Sequence, residues 1–180
     1  IESKQQTYFK STSAGEWNYT YANTDFQLFT AMPIHPLWKI AIGYQYQDDD
    51  DGRNNSRTIQ QISFVQPATG YRLGHRLRMD QTFYKHRTTQ FRFRYRFSAE
   101  LPLQGLSVDP GEFYLVVSDE LLYEMQGKAT DLENRFALTT GYYFQNTNSL
   151  EFGFDYRTDR FLKNGFRQNL WLVVGWYMSI

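Results

Sequence analysis

Residues 90–100 alternate hydrophobic and polar side chains without a break. Successive side chains of a β-strand point to opposite faces, so this stretch predicts a strand with two chemically different faces. The aromatic face carries Phe91, Phe93, Tyr95 and Phe97, and the polar face carries Arg92, Arg94, Arg96, Ser98 and Glu100. The pattern predicts a sheet that is aromatic on one side and ionic on the other.

The same period of two recurs along the chain and predicts nine strands, whereas no stretch has the pattern of a helix of normal length. Residues 58–66 give the weakest of these predictions, and residues 5–13 are a possible tenth strand. The predicted strands cover residues 25–34, 38–47, 58–66, 71–84, 90–100, 113–125, 135–145, 150–159 and 170–180.

The segments between the strands differ in kind along the chain. Short or Pro/Gly-shaped turns are expected near residues 36, 70, 102–111 and 147, and longer polar loops at 48–56, 85–89, 126–134 and 160–167. Outer-membrane β-barrels alternate short periplasmic turns with longer extracellular loops in this way. The alternation favours a membrane barrel over a soluble sandwich.

Two architectures fit the strands. A soluble, lipocalin-like barrel would bury the aromatic faces, and a transmembrane barrel would turn them to lipid and the arginines to the lumen. Aromatic residues form 18% of the chain. Residues 170–180 form a last strand of alternating bulky side chains, which is the type of C-terminal strand that barrel-assembly machinery recognises in outer-membrane proteins. We therefore expect one domain over residues 1–180: an all-β, antiparallel up-and-down transmembrane β-barrel of 8–10 strands with a charged, salt-bridged lumen.

The composition narrows the functional classes. Lys plus Arg and Asp plus Glu number 19 each, so no overall field attracts nucleic acid. The chain has no cysteine, which removes disulfides and thiolate catalysis. It begins at Ile1 without a charged and apolar leader, which suggests a mature form whose signal peptide has been removed. We expect a multi-pass protein of the Gram-negative outer membrane.

The predicted inner face carries fifteen charges on five strands. A barrel of about 8–10 strands has an interior just wide enough for side chains, so these charges must pair. Near neutrality then predicts a closed plug, whereas an ion-selective pore would show a ring of one sign. The cations are Arg72, Arg76, Arg78, Arg92, Arg94, Arg96, Arg135 and Arg157, and the anions are Asp80, Glu100, Glu120, Glu124, Glu151, Asp155 and Asp159.

Three motifs carry a resemblance to a known family. They are R-x-R-x-R-F-x-A-E-L-P-L at residues 92–103, S-D-E-L at 118–121 and N-R-x3-T-x-G-Y at 134–142, and L-R-M-D-Q-x-F at 77–83 also fits. Over residues 71–176 the chain resembles uncharacterised small outer-membrane barrels, common in Bacteroidetes, that carry a domain of unknown function. The resemblance implies fold and location and brings no established activity.

One enzyme hypothesis comes from the histidines. His75 shares parity with the outward Leu73 and Leu77, where a group acting on lipid would lie, and Ser63 on the preceding strand is the nearest nucleophile. A serine hydrolase acting on outer-membrane lipid would use such a pair. The structural alternative for His75 is a residue at the membrane interface or in contact with a partner.

Two other motifs have plainer explanations. The acidic run Asp48, Asp49, Asp50 and Asp51 offers oxygen ligands for Ca²⁺, but its spacing does not match an EF-hand, and a solvated loop tip is the simpler interpretation. In Ser118-Asp119-Glu120 the middle residue points away from its neighbours, so these three do not form one site. No cofactor is indicated.

Three functions follow as expectations. The first is a closed structural or accessory barrel, a subunit or docking partner of a larger outer-membrane complex, with outward exceptions such as Asp119 and His75 giving specificity. The second is a lipid-modifying hydrolase that uses His75, and the third is a narrow channel. The expected contacts are outer-membrane lipid, lipopolysaccharide and a protein partner.

Overall fold

A computed structural model describes residues 2–11, 17–49, 54–145, 148–163 and 165–177, with side chains from residue 26 onward except that of Asp49. All regular structure in these residues is β. The strands are β1 (Glu2–Ser11), β2 (Trp17–His35), β3 (Trp38–Asp49), β4 (Asn55–Ala68), β5 (Tyr71–Tyr84), β6 (Gln90–Pro102), β7 (Phe113–Gln126), β8 (Ala129–Tyr143), β9 (Ser149–Asp159) and β10 (Arg167–Tyr177).

The strands form a single sheet in sequence order, from β1 to β10, and every neighbouring pair is antiparallel. This confirms the all-β, up-and-down prediction. The possible strand near residues 5–13 exists as β1, and the weak prediction at 58–66 is the centre of β4. Among the described residues β1 does not pair with β10, so the sheet is not closed into a barrel.

The connections lie at two ends of the sheet. The Gly70 end holds the connections β2–β3, β4–β5, β6–β7 and β8–β9, and the Gly127 end holds β3–β4, β5–β6, β7–β8 and β9–β10. Because the number of strands is even, β1 runs away from the Gly70 end and β10 runs toward it.

One predicted loop is wrong. Residues 126–134 were expected to be a polar loop, but β7 and β8 meet in a tight turn at 127–128, and residues 129–134 belong to β8. Gly127 has a φ of 61°, a conformation that glycine adopts without steric penalty. Beyond it the chain still alternates, with Asp131 and Glu133 on the same face as Arg135, so a mostly polar segment forms a strand.

The two faces of the sheet have opposite chemistry. The outer face, defined here as the one that carries the rings of β6, leaves large apolar side chains exposed, from Ile42 at 68% on β3 to Leu172 at 67% on β10. The inner face carries the arginines and buries Asp80 completely and Glu120 to 1% exposure. Guanidinium groups therefore lie inside and aromatic rings outside, opposite to the soluble alternative.

The inner face encloses space. One cavity of about 780 Å³ is lined by residues of every strand from β2 to β10. The sheet therefore curls until strands far apart in sequence face the same volume. None of the described residues forms a helix that is long and apolar enough to cross a membrane.

Candidate functional site: a buried arginine–carboxylate cluster

Strand register puts like charges beside one another at the centre of the inner face. Arg76 lies opposite Arg96 in the β5–β6 ladder, and Arg78 lies opposite Arg94. Directly opposed like charges destabilise a sheet unless a counter-charge lies between them. Two carboxylates supply that counter-charge, one from β5 and one from β7.

Asp80 is the first of these carboxylates. Its Oδ1 accepts a hydrogen bond of 2.7 Å from Arg78 Nε, and its Oδ2 lies 2.8 Å from Arg94 Nη2 and 3.9 Å from Arg92 Nε. The side chain has no exposed surface. A carboxylate without water is stable only when it is paired, and Asp80 has three guanidinium groups around it.

Glu120 is the second carboxylate and is surrounded by four arginines. Its Oε2 accepts hydrogen bonds from Arg76 Nη2 at 2.6 Å and Arg96 Nε at 3.1 Å. Its Oε1 lies 3.8 Å from Arg94 and 3.9 Å from Arg135. Because Arg94 also contacts Asp80, the two acidic centres form one network across β5, β6, β7 and β8.

Two further ion pairs extend the network. Arg135 Nε donates to Glu133 Oε1 at 2.6 Å, both on β8. On β9, Arg157 donates twice to Asp155 Oδ2, at 2.7 and 3.0 Å, and its guanidinium lies 5.3 Å from the centre of the Trp171 ring. The inner face from β5 to β10 is thus held mainly by charge-assisted contacts.

The sequence predicted one neutral network of fifteen charges, and the structure divides that set. Arg72 pairs with Glu100 at 2.6 Å toward the Gly70 end, and Asp159 pairs with Arg167 at the Gly127 end. Glu151 accepts from the Tyr114 hydroxyl at 2.9 Å. Four of the seven predicted anions therefore lie outside the central network, since Glu124 forms no ion pair with any described side chain.

The remaining arginines consequently outnumber their carboxylates. The alternation of polar and apolar residues assigns side chains to the correct face. It does not give their positions along the strand direction relative to the neighbouring strands. Acids near the ends of strands cannot reach guanidinium groups at the centre. The fifteen predicted charges remain near neutral over the inner face as a whole, but within the described residues the central cluster carries more guanidinium groups than carboxylates.

Two members of this region were missed by the sequence analysis. Arg57, on β4, donates to Thr82 Oγ1 at 2.8 Å and to Gln45 Oε1 at 3.2 Å. It lay outside the predicted strand 58–66, although it shares parity with Gln61. Glu133 was assigned to a loop, and its alternation with Leu132 was the signal that could have placed it.

The hydrolase pair does not assemble. His75 lies on the outer face, where its Nδ1 is 2.8 Å from the Tyr95 hydroxyl and its ring packs against Phe64 and Phe97. Ser63 lies on the inner face, and its hydroxyl accepts from Gln61 Nε2. The sheet separates the nucleophile from the base, and His75 takes part in an aromatic cluster.

Asp119 is the clearest polar exception on the outer face. Both of its carboxylate oxygens accept from Asn134 Nδ2, at 3.0 and 3.2 Å. In the strand ladders it lies beside Phe97 and Phe136. Its neighbours Ser118 and Glu120 are buried on the inner face, so these three residues do not form one site.

The structure describes only part of the acidic run at residues 48–51 that was considered as a metal site. Asp48 and Asp49 are the last residues of β3, whereas Asp50 and Asp51 lie outside the described residues. In the part of the chain that the structure describes, no group of three or more His, Cys, Asp or Glu residues is placed to hold a metal ion.

Comparison with known proteins identifies the family. Residues 6–169 match the model of a protein of unknown function, DUF2490. No curated protein and no solved structure matches the chain significantly. The match covers most of the chain, which therefore belongs to the DUF2490 family, and it leaves the function to be inferred from the geometry.

Proposed function

We propose that this member of the DUF2490 family is a closed β-barrel of the Gram-negative outer membrane, and that it acts there as a structural or accessory subunit of a larger complex. The observation that carries the proposal is the reversed burial. Carboxylates and guanidinium groups lie on the inner face, and large apolar side chains cover the outer face.

Lipid is the environment that makes this burial stable. In water, a continuous surface of exposed Phe, Tyr, Leu and Ile far exceeds the apolar patches of soluble proteins. A transmembrane barrel needs such a surface toward the bilayer and accepts a polar interior. The resemblance to small outer-membrane barrels supports the same location.

Closure of the sheet into a barrel is also expected in a lipid bilayer. Unpaired backbone N–H and C=O groups at a sheet edge cannot be satisfied in hydrocarbon, so spanning sheets close on themselves. Ten strands is an even number, as in single-chain bacterial barrels, and β1 and β10 run antiparallel to each other. We infer that β1 and β10 meet in the membrane.

Large inner side chains support a closed interior. The arginine–carboxylate network crosses from β5 to β9 at the centre. Nearer the Gly70 end, the Tyr114 ring lies over Gly141, where a Cβ atom would collide with it, and the Tyr114 hydroxyl reaches Glu151 on β9. We infer that these groups obstruct a continuous aqueous path, which favours the closed barrel over the channel.

The accessory role is supported by the outer face. The Asp119–Asn134 pair is exposed among apolar side chains of β6–β8, and polar groups that face lipid are unfavourable without a partner. A second membrane protein that donates hydrogen bonds to Asp119 would remove that penalty. We therefore place the contact with a partner on this side of the barrel.

The membrane placement is tested with variants that keep a single tryptophan. Trp38 is exposed beside Phe64 on the outer face, and Trp171 packs on Arg157 on the inner face. After refolding into vesicles with brominated lipids, we expect strong fluorescence quenching of Trp38 and weak quenching of Trp171. Equal quenching of both would contradict the sidedness.

The closed, accessory role needs two measurements. In planar bilayers the purified protein should give no single-channel conductance, and stepwise currents would assign a channel instead.

In mild detergent, protein from native membranes should migrate as a complex that Asp119→Leu disrupts. Thr140→Leu, which replaces an outward polar side chain of β8 by the same apolar residue, serves as the control. A protein that is monomeric before any substitution would contradict the accessory role.

A further inference from the structure

The inner cavity has two unlike walls. Its volume is about 780 Å³, within the range of small-molecule sites. The β5–β9 wall is formed largely by arginines, and the β2–β4 wall by Phe29, two alanines and several glutamines. The cationic lining residues are Arg57, Arg76, Arg78, Arg92, Arg94, Arg96, Arg135 and Arg157, and the anionic ones are Glu120 and Asp155.

The carboxylates near this cavity do not balance its arginines. The acids within ion-pair distance of these arginines are Asp80, Glu120, Glu133 and Asp155, so eight guanidinium groups face four carboxylates among the described side chains. Adding Glu124, which lies opposite Arg92 in the ladder, still leaves a cationic excess. Arginine does not deprotonate in proteins, so this excess is met by groups beyond the described side chains, by bound anions or by water.

Several donors of this wall also lack acceptors. Arg76 Nε, Arg94 Nε, and both Nε and Nη2 of Arg92 are buried without a hydrogen-bond partner among the described residues. Three carboxylate oxygens of the same wall, Asp80 Oδ2, Glu120 Oε1 and Asp155 Oδ1, are buried without such a partner as well. Arg76 and Arg96 keep 27% and 36% of their side-chain surface exposed, so the cavity reaches them. The wall therefore combines surplus charge, unmet donors and access.

The opposite wall supplies neutral donors. Gln45 Oε1 accepts from Arg57, and Gln47 Oε1 accepts from Asn55 Nδ2 at 2.8 Å. With their oxygens engaged, both amides are left to donate through Nε2. Donors on both walls, together with the excess of guanidinium groups over carboxylates, suit a ligand that is rich in oxygen and negatively charged.

From these observations we propose that the cavity binds a soluble oxyanion with two or more negative charges, of the phosphate or polycarboxylate class. The guanidinium fork binds such groups through paired hydrogen bonds. A multiply charged ligand matches the size of the charge excess better than chloride does. The inference concerns the interior alone and does not require the accessory role.

The test uses the full chain refolded in a neutral detergent, with pyrophosphate as the probe. At constant ionic strength, isothermal titration calorimetry should detect saturable binding, with pyrophosphate tighter than phosphate and chloride without effect. The double substitution Arg76→Gln with Arg96→Gln should weaken pyrophosphate binding at least tenfold. Arg72→Gln is the matched control, because Arg72 pairs with Glu100 outside the cavity, and it should leave affinity unchanged.

A second variant keeps the proposal testable if the double substitution fails to fold. Gln45→Glu retains an oxygen that accepts from Arg57 and adds a negative charge to the cavity without removing an ion pair. It should stabilise the empty protein and weaken pyrophosphate binding at least tenfold. Unchanged affinity in this variant would overturn the proposal.

Three other results would also overturn it. Equal heat from chloride at matched ionic strength would show an adventitious ion only. Equal weakening by Arg72→Gln would show general charge attraction. Competition by phosphatidate in phosphatidylcholine nanodiscs would assign the site to a lipid headgroup in place of a soluble ion.

Discussion

Strands β2–β4 and strands β5–β9 share one outer face and differ on the inner face. Outward they carry the same mixture of Ile, Leu, Tyr and Phe, exposed to similar extents. Inward, β2–β4 present mostly glutamine, alanine and Phe29, with Arg57 as the cation among the described residues that line the cavity. The inner face of β5–β9 is dominated by paired and unpaired ions.

The difference shows that the outer apolar alternation specifies the sheet, whereas the inner charged groups distinguish one region of the interior from the other. The outer alternation is the same in both regions, so it specifies the sheet without regard to the interior. Completely buried apolar groups are few, with Ile59 and Leu122 at 1% exposure, so an oily core does not hold the interior together. The charged region must therefore contribute more to interior stability than the amide region.

The largest expected effect tests that difference directly. Glu120→Gln removes the charge shared by four arginines and should lower the free energy of unfolding by about 3–5 kcal/mol, as for a broken buried ion pair. Glu124→Gln makes the same isosteric change on the same strand without breaking an ion pair. Urea unfolding of the refolded protein in vesicles measures both, and equal effects would show that the network is not stabilising.

The second prediction tests the shared outer face. In the membrane placement that we propose, Ile42→Arg on β3 and Leu77→Arg on β5 should each destabilise the protein by about 2–4 kcal/mol, because both place a charge on the apolar outer face. Tyr71→Arg, at the start of β5, should cost less than about 1 kcal/mol, since it lies near the interface. If all three substitutions were neutral, the outer face would lie in water.

The third prediction compares glycines in the two regions. A Cβ atom at Gly141 would collide with the Tyr114 ring, whereas one at Gly43 would meet Phe29 at 2.9 Å. Gly141→Ala should therefore destabilise by about 1–3 kcal/mol through overpacking, and Gly43→Ala by less. Thermal unfolding in detergent ranks the two, and a larger loss at Gly43 would contradict the packing at the Gly70 end.

The smallest effect is expected at the Gly127 end, where Asp131 pairs with Lys163 of the connection between β9 and β10. Burial raises the pKa of Asp131, but hydrogen bonds from Lys163 and from the Leu132 N–H outweigh it and lower the pKa overall. Because the pKa of Asp131 is lower in the folded than in the unfolded protein, its ionised form stabilises the fold at pH values above the unfolded-state pKa. This stabilisation is lost as the pH falls through the folded-state pKa. Lys163→Met should remove less than about 1 kcal/mol at pH 7 and almost nothing at pH 2.

That prediction is measured by urea unfolding at the two pH values. Arg160→Met, in the same connection, is the control for loss of a surface cation. If Lys163→Met were as harmful at pH 2 as at pH 7, the ion pair with Asp131 would not be its cause.

Alternation alone determined much of this protein. It assigned the strands and the faces of Arg94, Glu120, His75 and Asp119, because side-chain direction in a strand depends only on parity. It also separated Asp119 from Ser118 and Glu120, because adjacent residues of a strand point to opposite faces. The family match then covers most of the chain without naming a function.

The tertiary structure decided what parity does not contain. The register between strands fixed the heights of the charges, and so placed Glu100, Glu151 and Asp159 away from the central arginines. The tight turn at Gly127 brought Glu133 into β8, and the curl of the sheet set the glutamine wall opposite the arginine wall. Charge balance inside a sheet depends on distances between strands, and those distances arise only when the strands have paired.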